Sequence, residues 1–401
     1  MTATVRHLAL FVPTLSGGGV QRNLLTMARG FHERGYRVDL VVVHAEGQLA
    51  REIPEGVRLV ELERKRGPVP RLAAAWADWR GIPTLARPLL LPLSAGPAIG
   101  ALPALARYLH KQSPDIFFSA KVSANITALL AKRLSGAAIP IIVSERESYA
   151  DKVAQARRWR WRHIVPAIRH LYPSAAAIVA VSEGTAEEFT RLTKLPREAV
   201  QVIYNPVVGP ALARQAIANP GHPWLPPDRP VPVILGVGRL EQRKGFDVLL
   251  QAVARLRADR RVRLLLLGEG EARAHLAALG DTLGLGPDLD MPGWQTNPFA
   301  FMARADVFVL ASDFEGLPGV LIQALACGCP VVSTDCPDGP REILQDGQHG
   351  QLVPTRNPAA MAEAIRATLN TAPAPEALRA RAMAFGEMQA LDHFEALFET
   401  C

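Results

Sequence analysis

Short apolar runs with few charges and no alternation with polar residues punctuate the chain. Such runs read as strands covered on both faces, as in a parallel sheet. They fall at 8–12, 35–43, 57–62, 115–119, 139–143 and 177–182, with 202–207 closing the first half, and again at 233–237, 263–267, 307–310 and 330–333. Between them, apolar residues recur at helical spacing. One such set is Leu24, Leu25, Met27, Ala28 and Phe31, and another is Val248, Leu249, Leu250, Ala252 and Val253. Asn125 opens a third helix through Leu129 and Leu130. A fourth set, Val320, Leu321, Ala324 and Leu325, has Gly328 as its left-handed stop. Strand, helix, strand in units of this size predicts right-handed crossovers in an α/β protein. The two series are parted by 205–232, which holds eight prolines. The expected organisation is two doubly wound, Rossmann-like domains facing a central cleft, residues 1–205 and 233–383, joined by a linker at 206–232. A weakly amphipathic helix closes the chain in 384–401.

Three strand-to-helix turns carry the chemistry. The first, after 8–12, holds Gly17, Gly18 and Gly19, then Arg22. The second reads Gly238-Arg239, then Lys244-Gly245 five residues on. The third is Asp313-Phe314-Glu315-Gly316-Leu317-Pro318-Gly319, followed at once by a helix and the run Cys327-Gly328-Cys329-Pro330-Val331-Val332. Free N–H groups at a helix start favour an anion, and glycine lets a ligand approach the backbone. An acidic side chain in such a turn is costly for phosphate binding, so Glu315 is expected to face sugar hydroxyls, with Arg239 and Lys244 as the anion-binding cations. The bland alternative makes both cations surface salt-bridge partners.

Charge adds a partner. Residues 1–200 hold 28 Lys and Arg against 16 Asp and Glu, a net +12, while residues 201–401 hold 17 against 22, a net −5. A basic front half suits an acidic partner: lipid, a pyrophosphate-linked substrate or nucleic acid. No nucleic-acid-binding pattern is present, so nucleic acid is set aside. Two basic-aromatic stretches stand out, 64–87 with Trp76 and Trp79, and 157–163, which reads Arg-Arg-Trp-Arg-Trp-Arg-His. Residues 88–106 carry no charge but four prolines, which argues for a surface-lying or loop segment rather than a span. Contact with a membrane surface is therefore expected through 64–106 and 157–163. Cys327, Cys329, Cys336 and Cys401 lack a fourth metal ligand at plausible spacing and read as buried structural thiols. The N-terminus leads straight into a strand, without a signal peptide, and the expected location is cytoplasmic, peripheral on the inner face of the membrane.

The third turn with its helix resembles the donor-site signature of the retaining glycosyltransferases of family 4, whose pattern is a Glu, seven residues, a second Glu, then a small-rich helix ending in Cys-Gly-x-Pro-Val-Val. Gln323 stands where the second Glu is expected. The second turn is similar to the family's Gly-x-x-Arg…Lys-Gly motif. The resemblance implies a GT-B architecture whose last helix crosses back to the first domain, a nucleotide-diphosphate sugar donor, and retention of configuration. It implies that Arg239 and Lys244 neutralise the donor diphosphate, that Glu315 orients the transferred sugar, and that Gln323 takes the ribose. Gly17, Gly18, Gly19, Gly238, Gly316, Leu317, Pro318, Gly319 and Val320 would line the donor, and Gly293 or Trp294 would border the base, taken to be uridine. Acceptor-side candidates are Arg22, Ser119, Lys121, Asn125, Glu145 and Arg146. Many members carry a His after the strand near Ser119, where this chain has Ser119-Ala120-Lys121; a subgroup with Ser-Glu-Arg after the next strand lacks it too. No Asp or Asp-x-Asp is set up to hold Mg²⁺, so neither metal nor further cofactor is expected. A polyprenyl-diphosphate-linked saccharide is the expected acceptor. Two alternatives stay open: a nucleotide-sugar 2-epimerase of the same architecture, and a catalytically idle membrane-surface subunit of a glycan-assembly complex.

Overall fold

The structure, a computed structural model, describes residues 6–47, 49–86, 97–149 and 158–401. The chain divides into two compact units, Met1–Pro206 with Glu387–Cys401, and Val207–Gly386.

The first unit is built on seven parallel strands: β1 (His7–Phe11), β2 (Arg37–Val42), β3 (Arg58–Glu61), β4 (Ile116–Ala120), β5 (Ile141–Glu145), β6 (Ala177–Ala180) and β7 (Val200–Val202). Their order is β3-β2-β1-β4-β5-β6-β7. Every residue of β1, β4 and β5 is buried, as expected of strands covered on both faces. Adjacent residues of β4 feed opposite cores: Phe117 packs with Leu105, Leu129 and Tyr172, and Phe118 with Met27, Phe31 and Phe394. The last helix, Glu387–Thr400, belongs to this second core. Its Phe398 ring lies 5.2 Å from Phe31, and Phe394 sits edge-on to Phe118 at 5.5 Å. Arg34 donates to Glu395 at 2.6 Å, and the Tyr36 hydroxyl donates to the same carboxylate at 3.0 Å.

The second unit has six parallel strands: β8 (Val233–Val237), β9 (Arg263–Leu267), β10 (Leu289–Gly293), β11 (Val307–Leu310), β12 (Val331–Thr334) and β13 (Gln351–Val353). Their order is β10-β9-β8-β11-β12-β13. In both sheets the winding reverses beside the first strand, between β1 and β4 and between β8 and β11. In open α/β sheets the loops leaving the carboxyl ends of two such strands are where ligands bind. This topology places the three glycine-bearing turns.

Several expectations need correction. β10 and β13 were not expected: β10 contains Asp290, Pro292 and Gly293, and β13 is three residues long. Both are edge strands, where proline and polar residues are tolerated and the apolar signal fades. β7, also three residues long and at a sheet edge, was likewise not read as a strand. The stretch read as a linker is packed into the second unit. It forms a helix, Pro210–Ala216; Asn297 donates to the Gln215 carbonyl at 2.8 Å, and the Arg263 guanidinium lies 5.0 Å over Trp224. Residues 87–96 lie outside the described residues, but residues 97–106 are no surface segment. Ala98, Ile99, Leu102, Leu105 and Ala106 are core. Helix Leu102–Gln112 begins with proline in its first turn, where a missing N–H costs nothing. The side chains of the basic-aromatic run 157–163 likewise lie outside the described residues. Among the described residues no helix is long and apolar enough to cross a membrane. Cys327, Cys329 and Cys336 are buried, whereas Cys401 is exposed.

Candidate functional site

At the β8–β11 switch point two loops meet. After β8 the chain runs through Gly238 and Arg239 into a tight turn, Gln242–Lys244, and Gly245 follows with φ +64°. A Cβ at Gly245 would lie 2.0 Å from the Ala311 carbonyl oxygen, so only glycine lets the loop lie this close to the end of β11. The loops are then stitched together. Asp313 N–H donates to the Arg243 carbonyl at 2.9 Å, and Lys244 Nζ donates to Glu315 Oε1 at 2.6 Å. Ser312 Oγ donates to the same oxygen at 2.7 Å. Lys244 and Glu315 are 15% and 11% exposed. Burial acts to raise the Glu315 carboxyl, but the Lys244 charge and the hydrogen bonds from Lys244 and Ser312 outweigh it and hold the group below its ordinary value. The two residues assigned separately, one to phosphate and one to sugar, form a single charge pair.

Arg239 is 59% exposed on its side chain and approaches Glu241 at 3.7 Å, while Arg243 donates to Glu241 at 2.7 Å. Helix Gly319–Ala326 starts immediately beyond Glu315-Gly316-Leu317-Pro318, with no side-chain cap and no acid in its first turn. Its early N–H groups are therefore available to an anion. Leu321, Ile322, Ala324 and Leu325 face the core, leaving Val320 and Gln323, three residues apart, half-buried on the other side. Gly328 supplies the expected left-handed stop at φ +76°. Gly293 ends β10, and Trp294 beyond it is largely exposed. β10 lies two strands from β8, which is about 10 Å along the sheet edge at the usual strand spacing.

Sequence reasoning missed the clamp on this site. Arg356, in the turn after β13, donates to Asp247 at 2.8 Å and to the Gln242 carbonyl at 3.2 Å, and it pairs with Asp313. One guanidinium thus ties the Lys244 loop to the Glu315 turn. No local signal announces it, because its partners lie 43 to 114 residues away. Asp288-Leu289-Asp290 spells an Asp-x-Asp, yet Asp288 is held by Arg257 and Arg261 and Asp290 by His222, at the amino-terminal end of β10, away from the switch point.

In the first unit Gly17 and Gly18 have φ of +102° and +124° and lead into helix Gly19–Glu33 beside the β1–β4 switch point. Arg22, half-exposed, lies 3.9 Å from Glu52. Lys121, with φ +84°, precedes helix Val122–Ser135 and keeps solvent access. The other four acceptor-side candidates are buried rather than presented. Ser119 lies within β4. Glu145 accepts from Asn125 Nδ2 at 3.0 Å and from the hydroxyls of Tyr149, at 2.6 Å, and Tyr172. Arg146 donates to Ser144 Oγ at 3.0 Å and Asn205 Oδ1 at 2.7 Å and lies 5.4 Å over the Phe118 ring; burial lowers its pKa to about 10. β5 runs two residues further than the apolar pattern indicated, which carries Glu145 into the sheet.

Two parallel, doubly wound sheets with ligand-type loops at their switch points define the GT-B class. Solved structures of that class superpose over nearly the whole chain. Sucrose-phosphate synthase from Thermosynechococcus elongatus matches with TM-score 0.77 at 18% identity, covering 98% of each chain. Anabaena HepE in complex with UDP-glucose matches with TM-score 0.74 at 17% identity, covering 99% of this chain and 100% of the other. The model described as Glycosyltransferase Family 4 matches residues 17–208, and that of Glycosyl transferases group 1 matches residues 231–371. The chain is therefore a glycosyltransferase by family, with a family 4 domain in its first half and a group 1 domain in its second. Among curated relatives, a Campylobacter jejuni N-acetylgalactosamine-N,N'-diacetylbacillosaminyl-diphospho-undecaprenol 4-alpha-N-acetylgalactosaminyltransferase is 34% identical over 50% of this chain and 52% of its own length. The Rhizobium meliloti lipopolysaccharide core biosynthesis glycosyltransferase LpsE is 41% identical over 33% of this chain and 38% of its own. The chain thus spans about half the length, or less, of these relatives.

Proposed function

We propose that the protein transfers a hexosyl or N-acetylhexosaminyl residue from a UDP-sugar to a saccharide carried on polyprenyl diphosphate, with retention of configuration and without a metal ion. The observation that carries this reading is the meeting of Lys244 and Glu315 at the β8–β11 switch point, beside an uncapped helix start. A departing nucleoside diphosphate gathers negative charge as the glycosyl bond breaks. Lys244, Arg239 and the first N–H groups of helix Gly319–Ala326 are fixed positive groups placed to stabilise it. Glu315 supplies a carboxylate one side chain away, suited to the hydroxyls of the departing sugar. Donor binding would draw the Lys244 ammonium from Glu315 toward the phosphates, so each charge is kept in place by the other until the ligand arrives. The stretch from β8 to Gly293 and Trp294 suits a base at one end and a diphosphate at the other, with Gln323 toward the ribose.

Among the described residues no second carboxylate is set up as a nucleophile. Attack from the face the diphosphate leaves, with a donor phosphate oxygen taking the acceptor proton, therefore accounts for retention. The two cations do the work of a metal. The name of the Campylobacter jejuni relative supports an undecaprenol-diphosphate acceptor and N-acetylgalactosaminyl transfer, and the HepE complex with UDP-glucose supports the nucleotide. Such an acceptor would bring the protein to the cytoplasmic face of the membrane. Gln323 alone favours a second reading, an idle subunit. Purified protein incubated with radiolabelled UDP-sugars and a polyprenyl-diphosphate disaccharide separates the readings. Label in the lipid fraction, undiminished by EDTA, is the expected result. Acceptor-independent sugar release means an epimerase, and silence with every donor favours the idle subunit.

A further inference from the structure

Helix Val69–Ala77 is packed inside out. Its inward positions are small or kinked, Pro70 and Ala74, while Val69, Leu72 and Trp76, which share one face at i, i+3 and i+7, point to solvent. Trp79, in the turn after it, and Ile82, at the start of helix Ile82–Leu85, extend the stripe. The five are 47%, 66%, 81%, 66% and 38% exposed. Burying Trp76 and exposing Ala74 would have been the ordinary outcome of folding, so the reverse arrangement calls for an external partner. The stripe cannot tuck inward, because Asp78 anchors the helix pair to the body. Its carboxylate takes His170 Nε2 at 2.6 Å, Arg133 at 2.5 Å and the Gly81 N–H at 3.2 Å. Arg64, Lys65 and Arg66, which lead into the helix, and Arg80, which follows it, are exposed, with Arg71 half-buried, and Arg80 lies 5.0 Å from the Trp79 ring centre. The acids nearest in sequence are engaged, Asp78 internally and Glu63 with Arg107.

We infer that this face of the first unit docks on an anionic lipid bilayer, with Val69, Leu72, Trp76, Trp79 and Ile82 entering the interface and the surrounding cations meeting lipid phosphates. Tryptophan is suited to headgroup depth and arginine to the phosphate layer, and net positive charge on the rim selects an anionic surface over a neutral one. A protein groove would match the apolar stripe but would leave the exposed cations that flank it in sequence unanswered. The inference deepens the lipid-linked reading of the acceptor by naming where the chain meets the membrane, and it excludes residues 97–106 from that contact.

The test is sedimentation with phosphatidylglycerol-containing vesicles, in the absence of any sugar nucleotide or acceptor, so that the outcome does not depend on the transferase reading. Wild type should bind these vesicles and not phosphatidylcholine vesicles, with binding lost on raising salt. Trp76→Ala with Trp79→Ala should weaken binding at least about tenfold with an unchanged melting temperature, because neither ring fills the core. Arg64→Gln, Lys65→Gln and Arg66→Gln together should remove the lipid selectivity. The double Trp variant should still transfer sugar to a water-soluble acceptor if the enzyme assignment holds, which checks that reading separately. Equal binding of wild type to both vesicle types, equal binding of wild type and double variant, or a concentration-dependent dimer abolished by the Trp substitutions would each overturn the inference.

Discussion

The Lys244 ammonium sets the charge state of Glu315. In the wild type Glu315 is held below its ordinary value despite burial, because Lys244 and Ser312 oppose the desolvation. A depressed carboxyl adds stability that is fully present above its unfolded value, about 4.3, and is lost as pH falls through the folded one. Lys244→Ala keeps the burial and removes the compensation, so Glu315 should move above its ordinary value and penalise folding at neutral pH. Urea titrations should therefore show the wild-type advantage largest at pH 7 and shrinking toward pH 4. The same substitution should cost roughly 2–4 kcal/mol of transition-state stabilisation, read as a fall in kcat/KM. Near-normal turnover in Lys244→Ala would remove Lys244 from the chemistry. Gln323→Glu should leave activity intact or raise it, since a carboxylate accepts ribose hydroxyls at least as well as an amide. Sequence could nominate these residues as candidates because each motif is local. Their pairing was not, because it spans 71 residues of sequence and exists only once β8 and β11 lie side by side.

At the scale of elements, the loops at the second switch point are held by backbone and by Arg356. Gly245→Ala combines a left-handed φ with a clash against the Ala311 carbonyl and should lower stability by about 1–3 kcal/mol. Arg356→Ala should cost about 1 kcal/mol or less in unfolding, since the guanidinium is 40% exposed, yet lower kcat about tenfold by loosening the Lys244 loop from the Glu315 turn. Arg356→Lys should recover little, because one ammonium does not reach two carboxylates and a carbonyl in a planar array. Equal loss of stability and rate in Arg356→Ala would mean that the residue only holds the fold. Central strands were legible as charge-free runs, whereas β10 and β13 were not, since edge strands need no continuous apolar signal. Residues 97–106 show the opposite failure. Proline there suggested surface, but the prolines fall at positions with no ladder bond to lose, and the apolar residues between them fill the first unit's core.

For the molecule as a whole, the last fifteen residues complete the first unit rather than the second. Leu391, Phe394, Leu397 and Phe398 bury against helix Gly19–Glu33 and β4, and full burial of each such side chain is worth about 1.5–3 kcal/mol. Deleting 387–401 should therefore remove about 5 kcal/mol or more from the first unit, seen as an early unfolding transition absent from the full chain. A single unshifted transition would contradict that assignment. The alternation of strand and helix made the two-sheet plan readable, but the packing partner of the closing helix rested on resemblance until Arg34 and Tyr36 were seen to bond Glu395. Where a donor's phosphates sit decides the central assignment, and a crystal structure with bound UDP measures that directly. It should show the β-phosphate within about 4 Å of Lys244 Nζ and Arg239, with Lys244 drawn away from Glu315. Phosphates bound elsewhere, with the Lys244–Glu315 pair undisturbed, would contradict it.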